Sequence, residues 1–173
     1  MLKYSYLALA LVLAAAVCVN LAFSEASGKY IGNKQCLMCR KTVVKQQYLF
    51  DHWATTKHAK ATENLPADKK ADPECLQCHS TGFGKPGGMT VEMAKTATPL
   101  MANVQCEGCH GPGEAHKTAP KEKKAETMNK PTKETCIVCH TETHPGGDVP
   151  GWKKFNYEED SKTVAHPKAP DAK

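Results

Sequence analysis

The sequence predicts a mainly helical fold with long loops and little or no sheet, wrapped around something other than its own side chains. Three observations point there. Cys-x-x-Cys occurs four times, at Cys36/Cys39, Cys75/Cys78, Cys106/Cys109 and Cys136/Cys139. Aromatic residues make up only 6% of the 173, and the mean hydropathy is −0.50. Glycine- and proline-rich stretches such as "STGFGKPGG" and "THPGGDVPGW" separate short segments that can be helical. A chain this poor in large apolar side chains cannot offset its conformational entropy from within.

The chain opens with a basic Lys3 and an apolar run from Tyr6 to Val19, followed by small residues with cleavage positions after Ser24 or Ala26. Asn20 ends the run short of the roughly 20 apolar residues a membrane span needs, so residues 1–26 are expected to be a signal peptide. Residues 27–173 then form one domain without a membrane span, exported to the periplasm or beyond. Cys18 leaves with the signal, and the eight remaining cysteines are all accounted for by the four pairs.

The pairs themselves say what the core is. In three of them the second cysteine is followed by histidine: His79, His110 and His140. Cys-x-x-Cys-His is the signature of c-type haem attachment, with two thiols bonded to the porphyrin vinyls and the histidine reaching the iron. Zinc, which takes four thiolate or imidazole ligands, is the competing reading of such pairs. The recurrent third-position histidine disfavours it. The first cysteines stand 39, 31 and 30 residues apart, a repeat of attachment sites expected to pack haems as neighbours. Flat apolar porphyrins would then supply the missing core, and their propionates would offset most of the formal charge of +5. No basic stripe with interleaved aromatics suggests nucleic acid.

Element by element, the strongest helix candidate runs from Thr42 to Glu63 and ends before "LPADKKADP". Val44, Tyr48 and His52 share one face of it, and Ala54, His58 and Ala61 another, where small neighbours leave room for a flat ring. A loop, "STGFGKPGG", and a short helix, "TVEMAKTA", follow the second site. The third site runs directly into a Gly-Pro-Gly turn ending in His116. Six lysines between Lys117 and Lys133 read as a solvated segment or as a docking face for an acidic redox partner. The tail after site four is expected to be too polar to pack except through His166.

Five histidines remain for the far faces of the irons: His52, His58, His116, His144 and His166. Small neighbours favour His58, the preceding turn favours His116, and His166 would pin the tail. His144 is balanced between ligation and exposure, and His52 is expected at the surface or behind a ligand. Iron held by imidazole on both faces has no vacancy for substrate and passes electrons.

The first site departs from the pattern, because Arg40 stands where histidine is wanted. A guanidinium stays protonated and has no lone pair for iron. Either a haem is attached there with one face open, or attachment fails and Cys36 and Cys39 form a disulfide, or Lys41 reaches the iron from one residue beyond. Three haems are expected at the other pairs, with the fourth left open.

"YIGNKQCLMC", "WATTKHAKA", "ECLQCHSTGFG", "VQCEGCHGPGEAHK" and "FNYEEDSKTVAHPK" together resemble the cytochrome c-554 family of tetrahaem c-type cytochromes over nearly the whole mature chain. The resemblance implies a mainly helical fold, four closely stacked haems and periplasmic electron transfer. It implies His79, His110 and His140 as proximal ligands and His58, His116 and His166 as distal ones, with one haem able to be five-coordinate. Arg40 departs from the family's histidine. The expected function is carriage of single electrons between redox proteins or other cytochromes. The alternatives are a self-associating cytochrome filament, with spare His52 or His144 ligating across the interface, and a reductase of a small nitrogen oxide at an open haem near Arg40.

Overall fold

A computed structural model describes residues 28–42, 45–147, 149 and 152–168. The expected signal peptide, Cys18 and Val44 lie outside them. Among the described residues eight α-helices follow one another: α1 (Asn33–Thr42), α2 (Gln47–Thr55), α3 (Pro73–His79), α4 (Val91–Ala94), α5 (Cys106–His110), α6 (Glu114–Thr118), α7 (Lys133–Ile137) and α8 (Tyr157–Val164). Three short 3-10 turns punctuate them, and the only sheet-like pairing among the described residues is one antiparallel bridge, Ser80 to Ala102. The expected fold class, mainly α with long loops and little or no sheet, is what the chain adopts.

Each attachment pair sits on a short helix, α1, α3, α5 or α7, and this explains the motif's spacing. Residues i, i+3 and i+4 share one helical face, so two thiols and the following histidine converge on the same ligand. In α7 the turn continues past Ile137 through the Cys139 and His140 amides, both bonded to the Cys136 carbonyl at 3.2 and 2.9 Å. Local sequence starts these helices where they are needed. Asp72 accepts from the Glu74 amide ahead of α3, with Pro73 in the first turn, and Thr132 with Thr135 closes a capping box on α7.

The single long helix expected from Thr42 to Glu63 is instead two pieces. Helix α2 stops at Thr55, because Thr56 turns extended (φ −79°, ψ 159°) and its hydroxyl bonds back to the Trp53 carbonyl at 2.8 Å. His58 then falls on the 3-10 turn Lys57–Lys60. The tail gains an element that its polarity concealed. Asn156 caps α8, accepting from the Glu158 amide, and Glu158, Glu159 and Asp160 fill the first turn of the helix.

Among the described residues only Leu76, Met89 and Met101 are buried hydrophobics, with Tyr30, Phe83, Met93, Ala94 and Ala102 packed around them. Polar groups hold the middle of the chain together instead. Thr62 donates to the His79 carbonyl (2.5 Å) and accepts from the Asn103 amide (2.7 Å), while Thr81 donates to the Asn103 carbonyl (2.7 Å) and accepts from the Gln105 amide (2.8 Å). The Trp53 indole donates to the Val104 carbonyl at 2.8 Å, tying α2 to the approach of site three.

The N-terminal strand of chain, residues 28–32, is clasped by the loop after site two, where the Tyr30 amide bonds the Pro86 carbonyl at 2.9 Å. That loop closes only because Gly88 has no side chain: a Cβ there would stand 1.8 Å from the Gly82 carbonyl oxygen. Gly88→Ala is therefore expected to open the loop and destabilise the protein by about 2–4 kcal/mol, read as a drop in thermal midpoint. An unchanged midpoint would show that the loop does not need this approach.

Candidate functional site

The four helices bring their thiols together in an order that the sequence does not have. The Cys36 and Cys106 thiols lie side by side, and their interaction pushes Cys36 well above its ordinary range and lowers Cys106. Cys109, raised chiefly by burial, also feels Cys136. Cys78 hydrogen-bonds Cys139 and is brought down to about 7, while Cys139 is raised by the same contact. The attachment sites thus lie in the spatial order one, three, four, two. None of the eight described cysteines is in a disulfide. Among the described residues no three His, Cys, Asp or Glu side chains converge as a bare metal ion would require. Haem iron asks for less, since the porphyrin occupies four positions and one or two imidazoles complete the shell.

The histidines meet that requirement. Two imidazoles on opposite faces of one iron have ring centres about 6 Å apart, given metal–nitrogen bonds of about 2 Å. His58 and His140 stand 5.9 Å apart, and His110 and His166 stand 6.1 Å apart with nearly parallel rings. Burial, first, keeps His58, His140 and His166 below the usual imidazole range. For His58 the neighbouring His140 adds to it, and for His166 the charges of His110, His52 and Arg40 do. A neutral ring is the ligating form.

Hydrogen bonds fix the tautomer elsewhere. The Nδ1 of His79 meets the Ala61 carbonyl (2.7 Å), that of His110 the Asn129 carbonyl (2.9 Å) and that of His116 the Lys124 carbonyl (3.0 Å). A carbonyl can only accept, so each Nδ1 carries the proton and each Nε2 keeps its lone pair free for iron. His144 has the opposite arrangement. Its Nδ1 accepts from the Gly146 amide at 3.0 Å, which puts the proton of the neutral ring on Nε2, and its ring packs edge-on against Trp152.

His116 rides on a helix tied to the site-one region. Helix α6, which carries it, is bonded to the start of the described chain through the Glu114 carboxylate and the Lys29 amide (3.1 Å), and Lys117 reaches Gln35 in α1 at 3.2 Å. Near His79 no second imidazole comes within pairing distance among the described residues. Arg40 donates to the Gln46 side chain, and its charge is felt at Cys36, Cys106 and His166.

Two functional residues escaped the sequence reading. His52, expected at the surface or behind a ligand, has its Nε2 buried without a hydrogen-bond partner, and its ring lies 6.3 Å from His166. The other is Glu107, between the cysteines of site three and 1% exposed. Its carboxylate accepts from the amides of Ile31 (2.9 and 3.1 Å), Gly32 (2.7 Å) and Gly113 (2.6 Å), and so locks sites one and three together. Glutamate in a motif's variable position gave no hint of this.

Comparison with known proteins agrees with the site chemistry. The family described as "Cytochrome c554 and c-prime" matches over residues 35–111, the segment that carries sites one to three. The curated cytochrome c-554 of Nitrosomonas europaea is 36% identical over 104 residues, a match spanning 51% of this chain and 40% of that protein's length. The solved structure of reduced cytochrome c554 from Nitrosomonas europaea superimposes with a TM-score of 0.54 at 27% identity, covering 79% of this chain and 78% of that one.

Proposed function

We propose that this chain, similar in its attachment segment and in its fold to cytochrome c-554, is an exported multihaem c-type cytochrome that carries single electrons between redox proteins. The observation that carries the reading is the pairing of His58 with His140 and of His110 with His166 at the separation that a haem iron requires. When bound, each haem supplies a one-electron iron couple; the chain does the rest. The eight motif cysteines would anchor the porphyrins. His79, His110 and His140 would ligate from the attachment side, His58 would face His140, His166 would face His110, and His116 would serve site one. Filling both faces with imidazole excludes substrate and water from the iron. Haems loaded in the order one–three–four–two would form a row along which electrons enter at one end and leave at the other. Cys39, at the site-one end, is exposed.

Optical redox titration of the holoprotein should show several one-electron steps, and ferric electron paramagnetic resonance should be dominated by low-spin signals. His58→Ala is expected to turn one low-spin haem high-spin and to let it bind carbon monoxide when reduced. Unchanged spin states in that variant would remove the pairing and, with it, the main support for a carrier.

The lone His79 favours one second reading, an open iron at site two rather than near Arg40. Wild-type protein should then bind one carbon monoxide per chain at the haem whose ligation changes in His79→Ala. Turnover of nitric oxide or nitrite at that haem would move the protein from carrier to reductase. Carbon monoxide binding without turnover keeps it a carrier.

A further inference from the structure

We propose that His52 supplies the axial ligand that Arg40 cannot, so that the haem at Cys36/Cys39 is held by a histidine from the following helix instead of from its own attachment motif. The inference rests on the multihaem reading above.

Four observations converge on it. Helix α2, which carries His52, packs on α1, which carries Cys36, Cys39 and Arg40. The hinge between them is tied at Arg40 itself, whose carbonyl accepts from the Gln46 amide at 2.6 Å and whose guanidinium bonds the Gln46 side chain. Arg40 is thereby turned onto the base of α2 and away from any ligand role. The Nε2 of His52 is buried with no partner, a costly state for an imidazole that a metal bond relieves. Finally, the His52 ring lies 6.3 Å from that of His166, the partner of His110 at site three, and α1 packs on α5, which carries site three.

The remaining histidines leave this position to His52 alone. His110 is paired with His166, and His58 with His140. His116 approaches site one from α6, the other helix bonded to it, through Lys117 and Gln35. His144 holds its lone pair in its own turn. His116 and His52 do not stand at the separation of the other two pairs, so the site-one iron must draw them together. With one on each face, site one becomes six-coordinate despite the loss of the motif histidine, and the row of electron-transferring irons is unbroken at that end.

The test compares wild-type holoprotein with His52→Ala by haem count (intact mass with pyridine haemochrome), by spin state, and by carbon monoxide binding with and without added imidazole. The expected result is four haems in both proteins, one carbon monoxide per chain in the wild type and two in His52→Ala. Imidazole should restore the second haem to the low-spin form, which a merely structural histidine would not allow. Three haems in the wild type, or one carbon monoxide in both proteins, would overturn the assignment while leaving the paired-histidine carrier intact. Absence of haem altogether would overturn both. Should His52→Ala fail to accumulate, His52→Met replaces it. Ligation by the thioether raises the potential of one haem and leaves the others in place, whereas an unchanged set of potentials would overturn the proposal.

Discussion

Produced in cells unable to attach haem, the chain is expected to remain unfolded, with a far-ultraviolet spectrum lacking helix and rapid digestion by a broad protease, while the loaded protein resists both. The effect should be total rather than a shift in midpoint. Three buried hydrophobic side chains among the described residues cannot offset the ordering of a chain of this length. Helices α3 to α7 have four to seven residues each, too short to persist in water alone. The histidine pairs also face one another across a span that needs an iron to close it, and metal-binding free energy of this kind is folding free energy. Retention of a cooperative thermal transition in the haem-free chain would show that the polypeptide has a sufficient core of its own.

Replacement of Glu107 is expected to have the next largest effect. Its buried carboxylate accepts from three backbone amides belonging to two distant segments, residues 31–32 and Gly113. Hydrogen bonds to a charged acceptor contribute about 1.5–3 kcal/mol each, and amides left buried without a partner add their own cost. Glu107→Ala should therefore lower stability by about 3–5 kcal/mol, a fall in thermal midpoint of roughly 10 °C. Glu107→Gln should fall between the two, because both carboxylate oxygens are in use and an amide nitrogen would point at a donor. Equal stability of the Gln variant and the wild type would show that neither the charge nor the second acceptor is needed. Because the N-terminal segment leads straight into α1, the Ala variant should also lose axial ligation at site one before site four in a graded denaturation, read from the low-spin absorbance.

What the sequence by itself determined is local. Two thiols and a histidine at i, i+3 and i+4 can meet one ligand from a single turn of helix, so the attachment sites, and the helices that bear them, were legible without any knowledge of the rest of the chain. The scarcity of large apolar residues likewise announced a core not made of side chains. The caps of α3 and α4 are equally local, Asp72 and Thr90 each bonding an amide two or three residues on. The break at Thr55 and Thr56, and the Asn156 cap of α8, use the same short-range chemistry. They were hidden only by apolar periodicity in one case and by overall polarity in the other.

The partnerships were decided by tertiary structure alone. His58 meets His140, His110 meets His166, and Cys36 meets Cys106 across stretches of chain that carry no pattern linking them. The spatial order one–three–four–two departs from chain order for the same reason, because loops fold one attachment helix past another. Nor could the sequence show that His52 turns its Nε2 inward or that Glu107 binds three amides, since burial and hydrogen-bond direction belong to the packed chain. Covalent attachment is a property of one helical turn. Ligand pairing across an iron needs two elements brought together, and only the folded chain sets that distance.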